Sequence, residues 1–207
     1  MTALGQPAAE TGGAAPSAPQ GGIPQPGVLN VANALTVLRL VLVPVFVLLL
    51  LAGGDGWRIG AFAVFLVASV TDVLDGRIAR QRGLITDFGK IADPIADKAL
   101  TGAALVTLSA QGQLPWWVTA VILARELGVT LLRFWVIRDG VIAASRGGKI
   151  KTLLQVLAIT LYVLPGPPAV LRAAVMGLAV VVTVVTGADY AVRAVRLRRR
   201  SMAAQAR

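Results

Sequence analysis

The sequence predicts an all-α integral membrane protein, a bundle of six transmembrane helices, and three observations carry that expectation. Apolar residues make up 56% of the 207 and charged residues only 14%, against roughly a quarter charged in an ordinary soluble domain. Mean hydropathy is +0.75. Six apolar stretches recur along the chain, each near the ~20 residues a helix needs to cross ~30 Å of hydrocarbon. Within a bilayer only helices and closed barrels satisfy their own backbone, and continuous runs such as Val41–Ala52 argue for helices.

Taken in order, residues 1–28 are rich in Gly, Pro, Ala and Gln, carry the single charge Glu10 and show no hydrophobic periodicity. They read as a disordered tail, and no basic segment followed by an apolar one marks a signal peptide. A membrane domain is expected over 29–200, with spans near 34–53, 58–80, 95–112, 115–137, 151–165 and 169–192, and a short C-terminal tail over 201–207. Cations fall on alternate connections. Arg77, Arg80, Arg82, Lys90 and Lys98 surround the second, Arg138, Arg146, Lys149 and Lys151 the fourth, and Arg193, Arg196, Arg198, Arg199 and Arg200 follow the last span. The other loops hold little beyond Asp55, Arg58 and Arg172. The positive-inside rule therefore places the basic loops and both termini in the cytoplasm of a multi-pass cell-membrane protein.

Composition also narrows the chemistry. With no Cys and no His, thiol nucleophiles, disulfides, Ser-His-Asp triads and the usual zinc sites are excluded, leaving carboxylates, Lys or Tyr for proton transfer. A net charge of +10 in so apolar a chain reads as topology plus attraction to anionic headgroups or phosphate substrates. Aromatic residues at 5% are too few for a base-reading surface, so no nucleic-acid partner is expected.

Of ten acidic residues, five lie close together: Asp72, Asp75, Asp87, Asp93 and Asp97. Asp72 and Asp75 are three apart and share a face of the second helix; Asp93 and Asp97 are four apart and share a face of the third. Pro94 suits a helix's first turn, which predicts Asp93 near an N-cap. Four facing carboxylates repel strongly unless a cation neutralises them. The all-oxygen ligand set points to one or two hard divalent ions, Mg²⁺ or Mn²⁺ first, with Ca²⁺ as the alternative. Two metals so held form a clamp for phosphoryl-type displacement. Between the pairs, Gly76 and Ala79 leave helix surface bare for a base or ribose, Arg80 offers a planar fork to phosphate, and Thr86 and Gly89 add a hydroxyl and an open backbone position.

The pattern Asp72-x2-Asp75-Gly76-x2-Ala79-Arg80-x8-Gly89-x3-Asp93-x3-Asp97 resembles the signature of the CDP-alcohol phosphotransferases, with every signature position filled. The resemblance covers about residues 28–200. It implies six transmembrane helices, a homodimer, a dinuclear metal site, and transfer of a phosphatidyl or related group from a CDP-linked donor to an alcohol with release of CMP. It also implies that Asp72, Asp75 and Asp93 are metal ligands and that Asp97 is both ligand and general base. A metal-lined carboxylate is a weak base in the ground state, but it need accept the proton only as the hydroxyl attacks.

Shorter stretches resemble the phosphatidylglycerophosphate synthase branch of that family: Asn33-Ala34-Leu35-Thr36-Val37-Leu38-Arg39, Asp93-Pro94-Ile95-Ala96-Asp97-Lys98, Arg125-Glu126 with Arg133, and Gly148-Lys149-Ile150-Lys151-Thr152 with Gln155. They imply CDP-diacylglycerol as donor and sn-glycerol 3-phosphate as acceptor. Cations within spans are costly and usually have a role, so Arg39, Arg125, Arg133, Lys149 and Lys151 are the expected holders of the acceptor phosphate. Asn33 and Thr36 are placed at the cytidine end, with a plain helix cap as the competing reading. Arg125 and Glu126 are chain neighbours pointing differently and need not pair. Competing functions are the same reaction with another acceptor (phosphatidylglycerol, inositol phosphate or serine) and, from another class, a cation transporter, which leaves Gly76, Ala79 and Arg80 unexplained.

Overall fold

The computed structural model describes residues 31–82, 87–136 and 146–205, with side chains described over 34–72, 95–96, 98–136 and 147–203. The expected 1–28 tail lies outside the described residues. Six α-helices follow one another: α1 Val31–Ala52, α2 Asp55–Arg82, α3 Asp87–Ala110, α4 Trp116–Val136, α5 Arg146–Val163 and α6 Ala169–Gln205. No strand occurs among the described residues. The helix count and order match the sequence expectation. Among the described residues two helices are long and apolar enough to cross a membrane, over Ala34–Ala52 and Ala169–Ala203. The run in α4 is interrupted by Arg125, Glu126 and Arg133, and α5 opens on Arg146, Lys149 and Lys151.

Helix ends differ from expectation at the charged side of the bundle. α3 starts at Asp87, so Asp93 and Pro94 lie inside the helix and not at its N-cap. The sequence reading placed Pro94 in the first turn because proline fits there without losing a hydrogen bond; here the helix continues through it, as α1 does through Pro44. α5 starts several residues before the predicted span, and α6 continues to Gln205, through most of the segment expected as a C-terminal tail. Arg, Met, Ala and Gln are good helix formers, and nothing in that segment stops a helix.

The core follows from heptad-like stripes. On α1 the buried positions are Thr36, Arg39, Phe46 and Leu50; on α2 they include Ala61, Phe65 and Ala68; on α3 they include Leu100, Ala104 and Leu108. Spacings of three and four put each set on one helix face. α1 packs against both α2 and α3, α5 against α6, and α4 against α6. Phe46 and Phe65 meet with ring centroids 5.6 Å apart, and Ala61, Ala68, Ala104, Ala158 and Ala179 are fully buried. Such small residues let helix backbones approach closely.

The three short connections gather at one end. Gly53 and Gly54 turn α1 into α2 with φ of 72° and 79°, a left-handed conformation that glycine adopts without a side-chain penalty. Arg58, in the first turns of α2, ties this end together. Its Nε donates to the Val163 carbonyl at 3.1 Å, and its Nη2 donates to Gln113 Oε1 at 3.0 Å and to the Tyr162 carbonyl. Gln111 donates to the Leu50 carbonyl at 2.8 Å. One arginine thus links α2, the α3–α4 connection and the end of α5. The outer surface is apolar on every helix, from Leu48 on α1 through Leu131 and Phe134 on α4 to Leu153 on α5 and Val170 on α6.

Candidate active site

The carboxylates sit at the end opposite the short connections. Asp72 follows Ala68 by four residues, continuing the buried stripe of α2. Asp75, Gly76 and Ala79 continue that same register along α2, as Asp97 and Asp93 continue the Leu100–Ala104–Leu108 stripe of α3 toward its start. Both sets therefore stand on the helix faces that build the core, and α2 and α3 are in contact. The side chains of Asp75, Ala79, Arg80, Asp93, Asp97 and Asn33 and the surroundings of Gly76 and Gly89 lie outside the described residues, as does Thr86 altogether.

Asp72 is the described member of the quartet. Its carboxylate is 39% exposed, and its Oδ1 lies 2.7 Å from Nη1 of Arg39, whose guanidinium is fully buried. Arg39 was expected to hold acceptor phosphate; the structure sets it against Asp72. Thr36, one turn earlier on α1, is buried at the same level. A carboxylate has about four lone-pair sites, so pairing with one guanidinium nitrogen leaves Asp72 capacity for a hard cation. The carboxylate-only donor set fits Mg²⁺ or Mn²⁺. Among the described residues no cluster of three or more acidic side chains forms, because Asp72 alone of the four is described there.

The second polar group lies across α3 to α6. Arg125 Nη1 and Lys151 Nζ both bind the same oxygen of Glu126, the first at 3.2 Å. Arg125 Nη2 donates to Thr186 Oγ1 at 3.1 Å. Lys98, next to Asp97, donates to Thr130 Oγ1, which in turn donates to the Glu126 carbonyl at 2.8 Å. Gln155 donates to Thr183 at 3.0 Å. Nothing in the sequence required Arg125 and Glu126 to pair, and the structure pairs them. Neighbours on a helix diverge at Cβ, but both side chains are long, and Lys151 from α5 draws the Glu126 carboxylate into the layer Arg125 occupies.

Three cations, Lys98, Arg125 and Lys151, share this layer with one carboxylate, Glu126, so the described residues leave it net positive. That surplus suits an anion, since unbalanced buried charge is costly without one. Gly187 makes the layer possible. A Cβ at that position would lie 2.8 Å from Cγ of Arg125, so the arginine crosses α6 where the helix has no side chain. Of the remaining expected phosphate holders, Lys151 is buried in this layer while Lys149 and Arg133 are exposed. Glu126, Thr130, Thr186 and Gly187 carried no sequence assignment. Glu126 was legible as an acid within a span, whose partner should always be sought; Gly187 was not.

Residues 29–185 match the family described as CDP-alcohol phosphatidyltransferase. The chain is 55% identical over 174 residues to a probable phosphatidylglycerophosphate synthase of Mycobacterium tuberculosis, covering 82% of this chain and 83% of that one. It is 38% identical over 180 residues to the CDP-diacylglycerol--glycerol-3-phosphate 3-phosphatidyltransferase of Bacillus subtilis, covering 78% and 93%. The protein of that name from Pseudomonas fluorescens is 39% identical over 151 residues, covering 68% and 75%. The matched region takes in all of the signature from Asp72 to Asp97, the two core stripes that carry it, and the positive layer around Glu126; this chain belongs to the CDP-alcohol phosphatidyltransferase family.

Proposed function

We infer that the protein transfers the phosphatidyl group of CDP-diacylglycerol to sn-glycerol 3-phosphate, giving phosphatidylglycerophosphate and CMP in phospholipid synthesis. The observation that carries this reading is the eight-position signature along α2 and α3, two helices in contact, with Asp72 continuing the buried stripe of α2. The names of the relatives support the choice of donor and acceptor. Asp72, Asp75, Asp93 and Asp97 would hold Mg²⁺ or Mn²⁺, two ions in all, and the metal when bound supplies neutralisation for the donor's diphosphate.

The chain's own residues then do the rest. Gly76, Ala79, Arg80 and Gly89, with Asn33 and Thr36, receive the CDP end of the donor. Arg125 and Lys151 hold the acceptor's phosphate in the positive layer, Lys149 and Arg133 add charge at its mouth, and Arg39 acts on the site through Asp72. Asp97 accepts the proton of the acceptor hydroxyl. The hydroxyl oxygen forms a bond to the phosphorus carrying diacylglycerol, the bond from that phosphorus to the bridging oxygen breaks, and CMP leaves.

The bundle crosses the membrane with all six helices, the carboxylates at the cytoplasmic face, and functions as a homodimer. The apolar exterior supports this placement, as do the exposed Trp57, Trp116 and Trp117 at the short-connection end, since tryptophan collects at membrane–water interfaces. The cations of the second and fourth connections and of the α6 end set the orientation. Purified protein with CDP-diacylglycerol and Mg²⁺ tests the function through an acceptor screen. CMP release should require sn-glycerol 3-phosphate; release that depends on phosphatidylglycerol, inositol phosphate or serine instead would reassign the acceptor, and none with any alcohol would sink the reading.

A further inference from the structure

At the short-connection end, away from the carboxylates, a cavity of about 390 Å³ opens between the start of α2 and the α5–α6 connection, lined by Asp55, Arg58, Gln113, Gly166 and Arg172 among others. Alternate-loop charge bias leaves this end almost bare of cations, and the two it has among the described residues, Arg58 and Arg172, both face this cavity. Arg58 is immobilised by its three acceptors. Arg172 stands with its guanidinium carbon 5.5 Å from the centre of the Tyr162 ring. Its Nε is buried with no hydrogen-bond partner among the described residues. Asp55 lines the same cavity, yet no ion pair joins it to either arginine among the described residues.

A buried guanidinium nitrogen without an acceptor is costly, and two arginines against one carboxylate leave one positive charge. Planar guanidinium forks match phosphate oxygens. Trp57 and Trp116, exposed at this end, set its depth at the headgroup level of a bilayer. We propose that this cavity binds the phosphodiester of a phospholipid whose headgroup is anionic overall, in the leaflet opposite the carboxylates. The leaflet assignment rests on the six-span reading above; recognition of phosphate by Arg172 and Arg58 does not, and neither depends on the transfer reaction.

The test is thermal unfolding of the full-length protein in neutral detergent, titrated separately with phosphatidylglycerol, phosphatidylcholine and inorganic phosphate. Wild type, Arg172→Gln and Asp55→Asn are compared. Phosphatidylglycerol should protect wild type more than phosphatidylcholine does, Arg172→Gln should weaken its apparent affinity about tenfold, the loss of one charge-assisted hydrogen bond, and Asp55→Asn should tighten it. Protection by inorganic phosphate that Arg172→Gln abolishes, with no preference between the lipids, overturns the lipid assignment in favour of a soluble phosphate compound. Equal phosphatidylglycerol affinity in all three proteins overturns the site altogether. If Arg172→Gln does not fold, Asp55→Asn decides alone, and unchanged affinity in it is the refuting result. With CDP-diacylglycerol as the only lipid in the detergent, CMP release by Arg172→Gln should equal that of wild type, which keeps this test apart from the catalytic one.

Discussion

Replacing Gly187 by Ala adds one carbon atom, and the structure fixes where it lands: 2.8 Å from Cγ, 3.3 Å from Nε and 3.6 Å from Cδ of Arg125. Carbon atoms sit comfortably at about 3.5–4.0 Å, so the arginine or the helix must give way by roughly 0.7 Å. Arg125 reaches Glu126 at 3.2 Å and Thr186 at 3.1 Å, and displacing its side chain disturbs both contacts. Overpacking of this kind costs about 1–3 kcal/mol. Loss of Arg125 from the acceptor layer should raise KM for sn-glycerol 3-phosphate about tenfold or more, with KM for CDP-diacylglycerol little changed.

A double-mutant cycle isolates the cause. In an Arg125→Ala background the obstruction is gone, and Ala exceeds Gly in a helix interior by about 1 kcal/mol. Gly187→Ala should therefore destabilise wild type but leave Arg125→Ala unchanged or slightly stabilised. Thermal unfolding of the four proteins, with acceptor KM for each, measures the coupling. Equal losses in both backgrounds would show that Gly187 serves helix packing and not Arg125, and the account of the layer would fail.

Four further outcomes are expected. Asp75→Ala should abolish CMP release and weaken metal binding measured by calorimetry; normal turnover would contradict the carboxylate site. Chelation of divalent ions should stop turnover and added Mg²⁺ restore it, read as CMP formed before and after. Arg39→Met should lower stability by about 1.5–3 kcal/mol, the worth of a hydrogen bond to a charged group, since it strips Asp72 of its partner; denaturant unfolding measures it. Arg58→Ala removes three hydrogen bonds at the short-connection end and should cost about 2–4 kcal/mol in the same assay, with kcat of the folded protein unaltered.

The helix count and the family signature along α2 and α3 were legible because each is written locally. Apolar length marks a helix, and spacings of three and four mark a face. Contacts between distant helices were not legible. The pairing of Arg125 with Glu126 depends on Lys151 arriving from α5, and Arg39 lies against Asp72 only because α1 packs on α2. Pro94 misled the reading of α3, since proline in a first turn and proline inside a helix look alike in sequence. Gly187 looked like any small residue in an apolar run; its meaning comes from the arginine that crosses it. Arg58 read as a stray cation in a bare loop, and two of its three acceptors are backbone carbonyls, which leave no trace in sequence.

The length of α6 has a use beyond packing. Its 37 residues extend about 55 Å, whereas the hydrocarbon layer is ~30 Å thick. On the six-span arrangement proposed above, roughly 25 Å of unbroken helix exceeds the acyl layer, and Arg198, stacked 4.2 Å over the Trp135 ring, braces that excess about midway along it. A rigid mast of known height converts angle into elevation. A fluorophore on Ala203, read by energy transfer to a dye in the bilayer, would report how far the whole bundle leans as membrane thickness is varied.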